Sequence, residues 1–132
     1  MLQKISQEQF VIKQQTVLKL GGIYRNFNST RESTKINSQN RWDRRYLILT
    51  DRSLYWLEDK MSQVLKNSIL IKDITKIQKI SGLYLSQKFV FKLYTQDKNY
   101  IYSVGTQEQL DDWVILMQKV TGKIAEEESV TL

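Results

Sequence analysis

The chain has 132 residues, of which 41% are hydrophobic, so it suits one folded domain and excludes a two-domain or wholly disordered protein. It contains neither cysteine nor histidine, which excludes disulfides, thiolate zinc sites and imidazole groups as metal ligands or general bases. These absences favour a binding protein over an enzyme, and the sequence predicts no cofactor and no metal.

The net charge of +6 is concentrated in one stretch of the chain. Residues 13–52 hold nine cations and three anions, including all six arginines, whereas the charges of the remaining residues cancel. The planar guanidinium of arginine suits phosphate groups better than the ammonium of lysine does. The stretch therefore predicts an anion-binding surface, and the alternative is a solvated basic loop that serves solubility.

No apolar run of the sequence is long enough to span a bilayer. Residues 1–4 have the features of neither a signal peptide nor a myristoylation site, and without cysteine there is no palmitoylation or prenylation. We therefore expect a cytoplasmic protein, in which the folded surface would make any peripheral membrane contact.

In chain order, the first 16 residues allow two interpretations. Leu2, Ile5 and Ile12 share one face of a helix, whereas residues 10–12 alone suit a short strand. We predict that residues 1–14 form an N-terminal extension that packs on the domain. Residues 26–40 are rich in Asn, Ser and Thr, which predicts a long loop.

Short strands are predicted through the middle of the chain. The runs 45–50 and 54–57 are separated by a turn at 51–53, and 68–71 and 74–80 are further strand candidates. The clearest alternation of period two follows in 89–93 and 100–104, with a turn at 97–99 between them. These last two runs predict a hairpin.

The period then changes from two to that of a helix. An apolar stripe at helical spacing is formed by Leu110, Trp113, Val114, Met117 and Val120. Thr106 and Gln109 fit a capping box at its start, and Gly122 suits its end. Residues 122–132 contain three consecutive glutamates, which predicts a solvated acidic tail. The whole pattern predicts a mainly β fold, a sandwich or partly open barrel of about seven antiparallel strands capped by one C-terminal helix.

Four segments in this order and spacing resemble the pleckstrin homology (PH) family over residues 15–121. They are Val-Leu-Lys-Leu-Gly-Gly at 17–22, Arg-Trp-Asp-Arg-Arg-Tyr-Leu-Ile-Leu-Thr-Asp at 41–51, Ser-Leu-Tyr-Trp at 53–56, and the helix that carries Trp113. The resemblance implies the fold described above, with residues 15–121 as the domain. It also implies a binding site for an anionic headgroup, of the phosphoinositide type, between the first two strands.

The resemblance assigns site residues one by one. Lys19 and Arg45 match the family's phosphate-gripping cations, whereas Asp43 stands where the family pattern has a cation and Trp56 where it has a tyrosine. Further cations that would compensate for Asp43 are Arg25, Arg31, Lys35 and Arg41.

The bulky and basic side chains of these segments also have packing interpretations. Trp113 is expected in the core, and Trp42 is expected to pack at the start of its strand. Tyr55 and Trp56 point to opposite faces of a strand, so one is expected in the core and the other on the surface. Arg44 and Arg45 alternate in the same way, and the resemblance favours Arg45 for the site.

Two functions stay open at this point. The first is a non-catalytic module recruited to anionic, phosphoinositide-containing membranes through its basic surface. The second, favoured by Asp43, is a protein-docking module or a structural subunit of a larger assembly. Nucleic-acid binding is disfavoured, because the aromatic segment 88–94 lacks the glycines of an RNA-recognition strand and lies in the charge-neutral part.

Overall fold

The computed structural model describes residues 10–21 and 41–129. Its elements, in chain order, are β1 (Val11–Gly21), β2 (Arg41–Thr50), β3 (Ser53–Leu57), β4 (Leu65–Leu70), a 3₁₀ helix (Ile71–Asp73), β5 (Lys76–Ser81), β6 (Val90–Tyr94), β7 (Asn99–Ser103), α1 (Gln107–Thr121) and β8 (Glu126–Ser129). The prediction of a mainly β fold with one C-terminal helix is confirmed.

The strands of the described residues form one sheet in the order β4-β3-β2-β1-β7-β6-β5-β8. Neighbouring strands pair antiparallel, except for β5 and β8, which are parallel. The two halves of the sheet meet at β1 and β7, which pair only at Leu18 and Lys19 of β1. Side chains from both halves and from α1 share one core, so the sheet curls around that core and α1 closes it.

The main core is built from alternate residues of the strands and from the apolar stripe of α1. Trp113 is fully buried, as predicted, and its ring stacks on Phe91 at 6.1 Å between centroids. The indole N–H of Trp113 donates to Oε1 of Gln15 at 2.9 Å, which ties α1 to β1. Burying a large apolar side chain stabilises a fold by about 1.5–3 kcal/mol, so this stripe is enough to hold α1 on the sheet.

Both ends of α1 follow the sequence signals. The side chain of Thr106 accepts from the backbone N–H of Gln109 at 3.1 Å, while Oε1 of Gln109 accepts from the N–H of Gly105 at 2.9 Å. Gly122 ends the helix at a φ of 73°, a left-handed conformation that glycine adopts without steric cost. The predicted capping and termination of the helix are therefore confirmed.

A second, smaller cluster lies on the outer face of the sheet and contains Leu20, Ile80, Val90 and Ile101. Trp42 packs against this cluster, and its indole N–H donates to the carbonyl oxygen of Leu85 at 3.0 Å. This bond holds the connection between β5 and β6 against the start of β2. The packing role predicted for Trp42 is confirmed.

β1 is longer than the sequence suggested. Residues 11–14, which the sequence assigned to an N-terminal extension, continue the strand and pair with β2 as far as Val11 opposite Thr50. The strand alternative for residues 10–12 therefore holds at Val11 and Ile12. Residues 11–14 do not show the regular alternation of apolar and polar residues that is typical of a strand. Pairing with β2, and not the local sequence pattern, therefore determines where β1 begins.

The acidic segment that the sequence predicted as a solvated tail contains a short strand. Glu126–Ser129 form β8, which pairs in parallel with β5 along the edge of the sheet. The strand is held by ion pairs from Lys76 to Glu126 at 3.5 Å and from Lys92 to Glu128 at 3.6 Å. The side chains of these four residues remain exposed, and their pairing as a strand is a feature that the sequence did not predict.

Candidate functional site

A polar cleft with a volume of about 350 Å³ opens between the two halves of the sheet. It is lined by the end of β1, the start of β2, β3, β4 and the connection between β6 and β7. Its lining residues are Lys19, Leu20, Gly21, Asp43, Arg45, Trp56, Lys66, Asn67, Lys98, Asn99 and Tyr100.

The pairing of β1 with β2 sets the floor of this cleft. Lys19 lies directly opposite Asp43, and Gly21 lies opposite Arg41. Successive residues of a strand point to opposite faces, so Arg41, Asp43 and Arg45 share the face that leads into the cleft. A Cβ atom built on Gly21 would overlap a carboxylate oxygen of Asp43, so a larger residue at position 21 would force that carboxylate to shift.

Asp43 is the centre of an arginine network. Its Oδ1 and Oδ2 accept from Nε of Arg41 at 2.9 and 3.2 Å, and Nη2 of Arg45 lies 3.8 Å from Oδ2. The side chain of Arg45 is further held by a 2.7 Å bond from Nη1 to the carbonyl oxygen of Arg44, its own neighbour. With 17% of its side chain exposed, Arg45 is fixed at the cleft wall instead of extending into solvent.

Two lysines reach the cleft over aromatic rings. Nζ of Lys19 lies 5.2 Å from the ring centre of Trp56 and 5.8 Å from that of Tyr100. Nζ of Lys98 lies 5.2 Å from the ring centre of Tyr100. The attraction of a cation to an aromatic face holds both ammonium groups at the cleft, where they contribute positive charge.

The structure of β3 shows which of its two aromatic residues, Tyr55 or Trp56, lies in the core, a question that the sequence left open. Trp56 is 3% exposed and lies on the inner face opposite Leu47, whereas Tyr55 is half-buried on the other face. Trp56 therefore takes the core position, and its indole forms part of the cleft wall. Arg44 and Arg45 divide in the same way: Arg45 lines the cleft, and Arg44 is exposed on the opposite face of β2.

Of the site residues named from the sequence, Lys19 and Arg45 line the cleft together. Arg41 does not line it but bonds to Asp43 at its margin. Arg25, Arg31 and Lys35 lie outside the described residues, and so does the predicted loop at 26–40.

Sequence reasoning missed Lys66 and Lys98, which also line the cleft. Both lie in the part of the chain whose charges cancel, so a count of charge along the sequence hides them. Lys66 precedes Asn67, which lies opposite Trp56 in the pairing of β3 with β4. The pairing shifts register next to Trp56, at Lys66, so the sequence carries no signal that would have located this lysine.

The cleft lining therefore holds four cations, Lys19, Arg45, Lys66 and Lys98, against the single carboxylate of Asp43. This arrangement offers ammonium and guanidinium donors to a multiply charged anion, and it offers no nucleophile paired with a base. Among residues 10–21 and 41–129 there is no cluster of carboxylates that could hold a metal ion. Over the same residues, no helix has the length and apolar character needed to cross a bilayer.

Comparison with known protein families gives one assignment for most of the chain. The family model described as "PH domain" matches residues 17–122. A curated relative, pleckstrin homology domain-containing family A member 7 of Danio rerio, is 28% identical over 79 residues. That match covers 59% of this chain and 7% of the relative, so the chain corresponds to a small part of that protein.

Solved structures agree on the fold. The carboxyl-terminal PH domain of pleckstrin superposes with a TM-score of 0.65 at 15% identity, covering 86% of this chain and 99% of that one. The same domain in complex with D-myo-Ins(1,2,3,5,6)P5 gives a TM-score of 0.62 at 16% identity, covering 85% and 96%. The PH domain of the human family A member 5 gives 0.62 at 17% identity, covering 96% and 88%.

Proposed function

Because this chain belongs to the PH domain family, we propose that it is a non-catalytic binding module whose cleft takes the phosphorylated headgroup of an anionic membrane lipid. The observation that carries the proposal is the convergence of four cations on one cleft from separate elements: Lys19, Arg45, Lys66 and Lys98. A basic surface that served only solubility would not require these side chains to meet.

The chemistry of the cleft fits a phosphorylated ring. Arg45 contributes a guanidinium whose Nη1 and Nη2 also face the Arg44 carbonyl oxygen and Asp43. The three lysines are point charges that donate to phosphates in less restricted directions. A volume of about 350 Å³ is at the lower end of the range for small-ligand sites and suits a headgroup better than a whole lipid. The complex of the pleckstrin domain with an inositol pentakisphosphate supports this ligand class.

Asp43 lowers the net positive charge of the cleft and therefore limits how strongly it can bind an anionic headgroup. With one carboxylate against four cations, the lining has a net charge of +3. At about 1 kcal/mol for each net basic charge near an anionic leaflet, the lining contributes about 3 kcal/mol. That gives weak, peripheral and salt-sensitive association of a cytoplasmic protein, which becomes durable only with a second contact.

The experiment is co-sedimentation with three kinds of vesicle: neutral, phosphatidylserine-containing, and phosphoinositide-containing at matched total charge. The test variant is Arg45→Ala. Arg44→Ala is its matched control, because it removes the same charge from the adjacent residue but from the face that does not line the cleft.

The proposal expects binding to phosphoinositide vesicles that exceeds binding to phosphatidylserine vesicles and that Arg45→Ala reduces much more than Arg44→Ala does. Equal loss in the two variants would indicate binding by diffuse charge alone. No binding to any vesicle at low salt would refute the lipid function and leave protein docking as the role of this domain.

A further inference from the structure

A second concave surface lies at the far end of the domain, and we call it the helix-end groove. It has a volume of about 530 Å³ and is formed where the turn between β2 and β3, the 3₁₀ helix and the end of α1 meet. Its lining residues are Asp51, Arg52, Leu70, Ile71, Lys72, Ile74, Val120, Thr121 and Lys123. None of these residues belongs to the cleft described above.

The floor of the helix-end groove is apolar. Ile71 and Ile74 are 7% and 1% exposed and belong to the main core, and Val120 is half-buried at the last turn of α1. Leu70 forms the rim and keeps 46% of its surface exposed. Such a floor contributes little binding free energy to a bare anion, whereas each apolar side chain that is buried on it adds favourable binding free energy.

The rim of the groove is basic. Arg52, Lys72 and Lys123 surround the floor, and Asp51 is the one acidic lining residue. The Oδ1 of Asp51 already accepts from the backbone N–H of Phe10 at 3.0 Å, so part of its acceptor capacity is used within the chain.

The two lysines of this rim lack the ion pairs that some other surface lysines make. Four other lysines each pair with a carboxylate, namely Lys13, Lys76, Lys79 and Lys92. Within the described part of the chain, neither Lys72 nor Lys123 has a carboxylate within ion-pair distance. The groove therefore combines an apolar floor with two lysines, Lys72 and Lys123, that make no ion pair with the described residues.

We propose that the helix-end groove docks a segment of a partner protein that carries apolar side chains interleaved with carboxylates. The apolar floor would bury the former, and Lys72 and Lys123 would pair with the latter. A volume of about 530 Å³ holds two or three apolar side chains, which suits a short linear segment better than a whole domain face.

The position of the groove favours a protein over a lipid as its occupant. This choice rests on the proposed function, in which the cleft faces the membrane. Asp43 lies in the cleft near the start of β2, and Asp51 lies at the groove just after β2 ends. The eight residue steps between them correspond to about 26 Å of extended strand. A domain whose cleft meets a bilayer therefore presents the groove away from that bilayer, towards proteins.

The test uses the full chain, labelled with nitrogen-15, and two pools of short synthetic peptides. In one pool, leucine, isoleucine and phenylalanine alternate with aspartate and glutamate; in the other, lysine and arginine replace the acidic residues. We expect binders from the acidic pool only, with amide shifts concentrated at Lys72, Ile74, Thr121 and Lys123.

Three variants make the test specific. The double variant Lys72→Glu with Lys123→Glu is expected to weaken the selected peptides roughly tenfold or more. Lys119→Glu is the control, since it reverses an exposed charge in the last turn of α1, next to the groove but outside its lining. Val120→Ser, which removes apolar contact without changing charge, is expected to weaken binding as well; unchanged unfolding midpoints would show that the variants stay folded.

Four outcomes would overturn the proposal: no acidic binder, equal binding from both pools, amide shifts that map elsewhere, or equal losses in Lys119→Glu. If the double variant abolished vesicle binding, the groove would face lipid; if it abolished a concentration-dependent dimer, the occupant would be a second copy. Either result would also refute a partner protein. Arg45→Ala is expected to leave peptide binding unchanged whether or not the cleft binds lipid, so the two proposals fail independently.

Discussion

The carboxylate of Asp43 occupies the space that a Cβ atom on residue 21 would need, so Gly21 and Asp43 fit against each other diagonally across β1 and β2. This fit brings a negative charge to the floor of a basic cleft and keeps it beside Arg41 and Arg45. Because β1 and β2 pair without a register shift from Lys13 to Gly21, the backbones of Gly21 and Asp43 cannot move apart without cost to the pairing.

Gly21→Ala is expected to lower the free energy of unfolding by about 1–3 kcal/mol, the usual cost of forcing extra atoms into an occupied space. Urea unfolding measures this. The double variant Gly21→Ala with Asp43→Ala should recover most of the loss, because the carboxylate that causes the overlap is gone. Strictly additive losses would show that the two side chains do not conflict.

Asp43→Asn is expected to strengthen vesicle binding roughly fivefold, because it removes about 1 kcal/mol of repulsion from the cleft. The salt dependence of binding should also become steeper. Asp112→Asn is the control, since it changes the net charge equally from a position on α1. Weaker binding of Asp43→Asn would instead mean that the carboxylate positions Arg41 and Arg45 for the ligand.

Tyr102→Phe is expected to stabilise the protein by about 1 kcal/mol. The Tyr102 hydroxyl is buried and, within the described residues, has no hydrogen-bond partner, while its ring packs on Phe91 at 5.4 Å. Phenylalanine keeps the ring and removes the unpaired group. A loss of stability on thermal unfolding would reveal a partner for this hydroxyl.

The same residue predicts a dependence on alkaline pH. Burial raises the pKa of Tyr102 well above its usual value of 10.0, with a smaller effect from Tyr100. The folded state thus holds the phenol proton more tightly than the unfolded state. The free energy of unfolding is therefore fully retained below pH 10, the unfolded value, and falls as the pH rises above it towards the raised folded-state pKa. Unfolding measured across this range should decline less steeply in Tyr102→Phe.

The ion pair between Lys79 of β5 and Asp111 of α1 predicts that the stability of the protein changes at acid pH. Hydrogen bonds from Lys79 and from Gln107 lower the pKa of Asp111 below its usual value of 3.8. A lowered folded-state pKa contributes stability that is present above the unfolded value and is lost as the pH falls through the folded one. Lys79→Met should return the Asp111 pKa towards 3.8 in a carbon-13 carboxyl titration, whereas Lys88→Met, at an exposed residue of another segment, should leave it unchanged.

The helix and the hairpin of β6 with β7 could be predicted because their apolar periods are long and unambiguous. Trp113, Phe91 and Leu93 each lie where the period puts them, fully buried in the main core. Here the local pattern and the tertiary structure favour the same faces, so nothing competes with the sequence signal.

Pairing partners, not local pattern, determine the two elements that were predicted poorly. β8 has a sequence of glutamates and serine with low strand propensity, and lysines of β5 and β6 hold it in place. Residues 11–14 likewise extend β1 because β2 is there to pair with them. Neither partner can be recognised from the segment alone.

The cleft was predicted only in part for a related reason. Lys19 and Arg45 follow from two adjacent strands, whereas Lys66 and Lys98 arrive from β4 and from the connection between β6 and β7. Residues so far apart in the chain meet only when the sheet curls. The close fit of Asp43 against Gly21 is equally invisible in the sequence, since it depends on the register of β1 with β2.

The position of β8 has a consequence for how copies of this protein behave at high concentration. An open sheet edge is a template on which another chain can add its own strands and start aggregation. Here the β5 edge is filled by β8, and the new edge carries Glu126, Glu127 and Glu128 in succession. Glu126 and Glu128 are partly neutralised by Lys76 and Lys92, which leaves Glu127 as the acidic side chain of this edge that makes no ion pair with the described residues. Two copies that approached through this edge would bring these acidic side chains together, which disfavours edge-to-edge pairing.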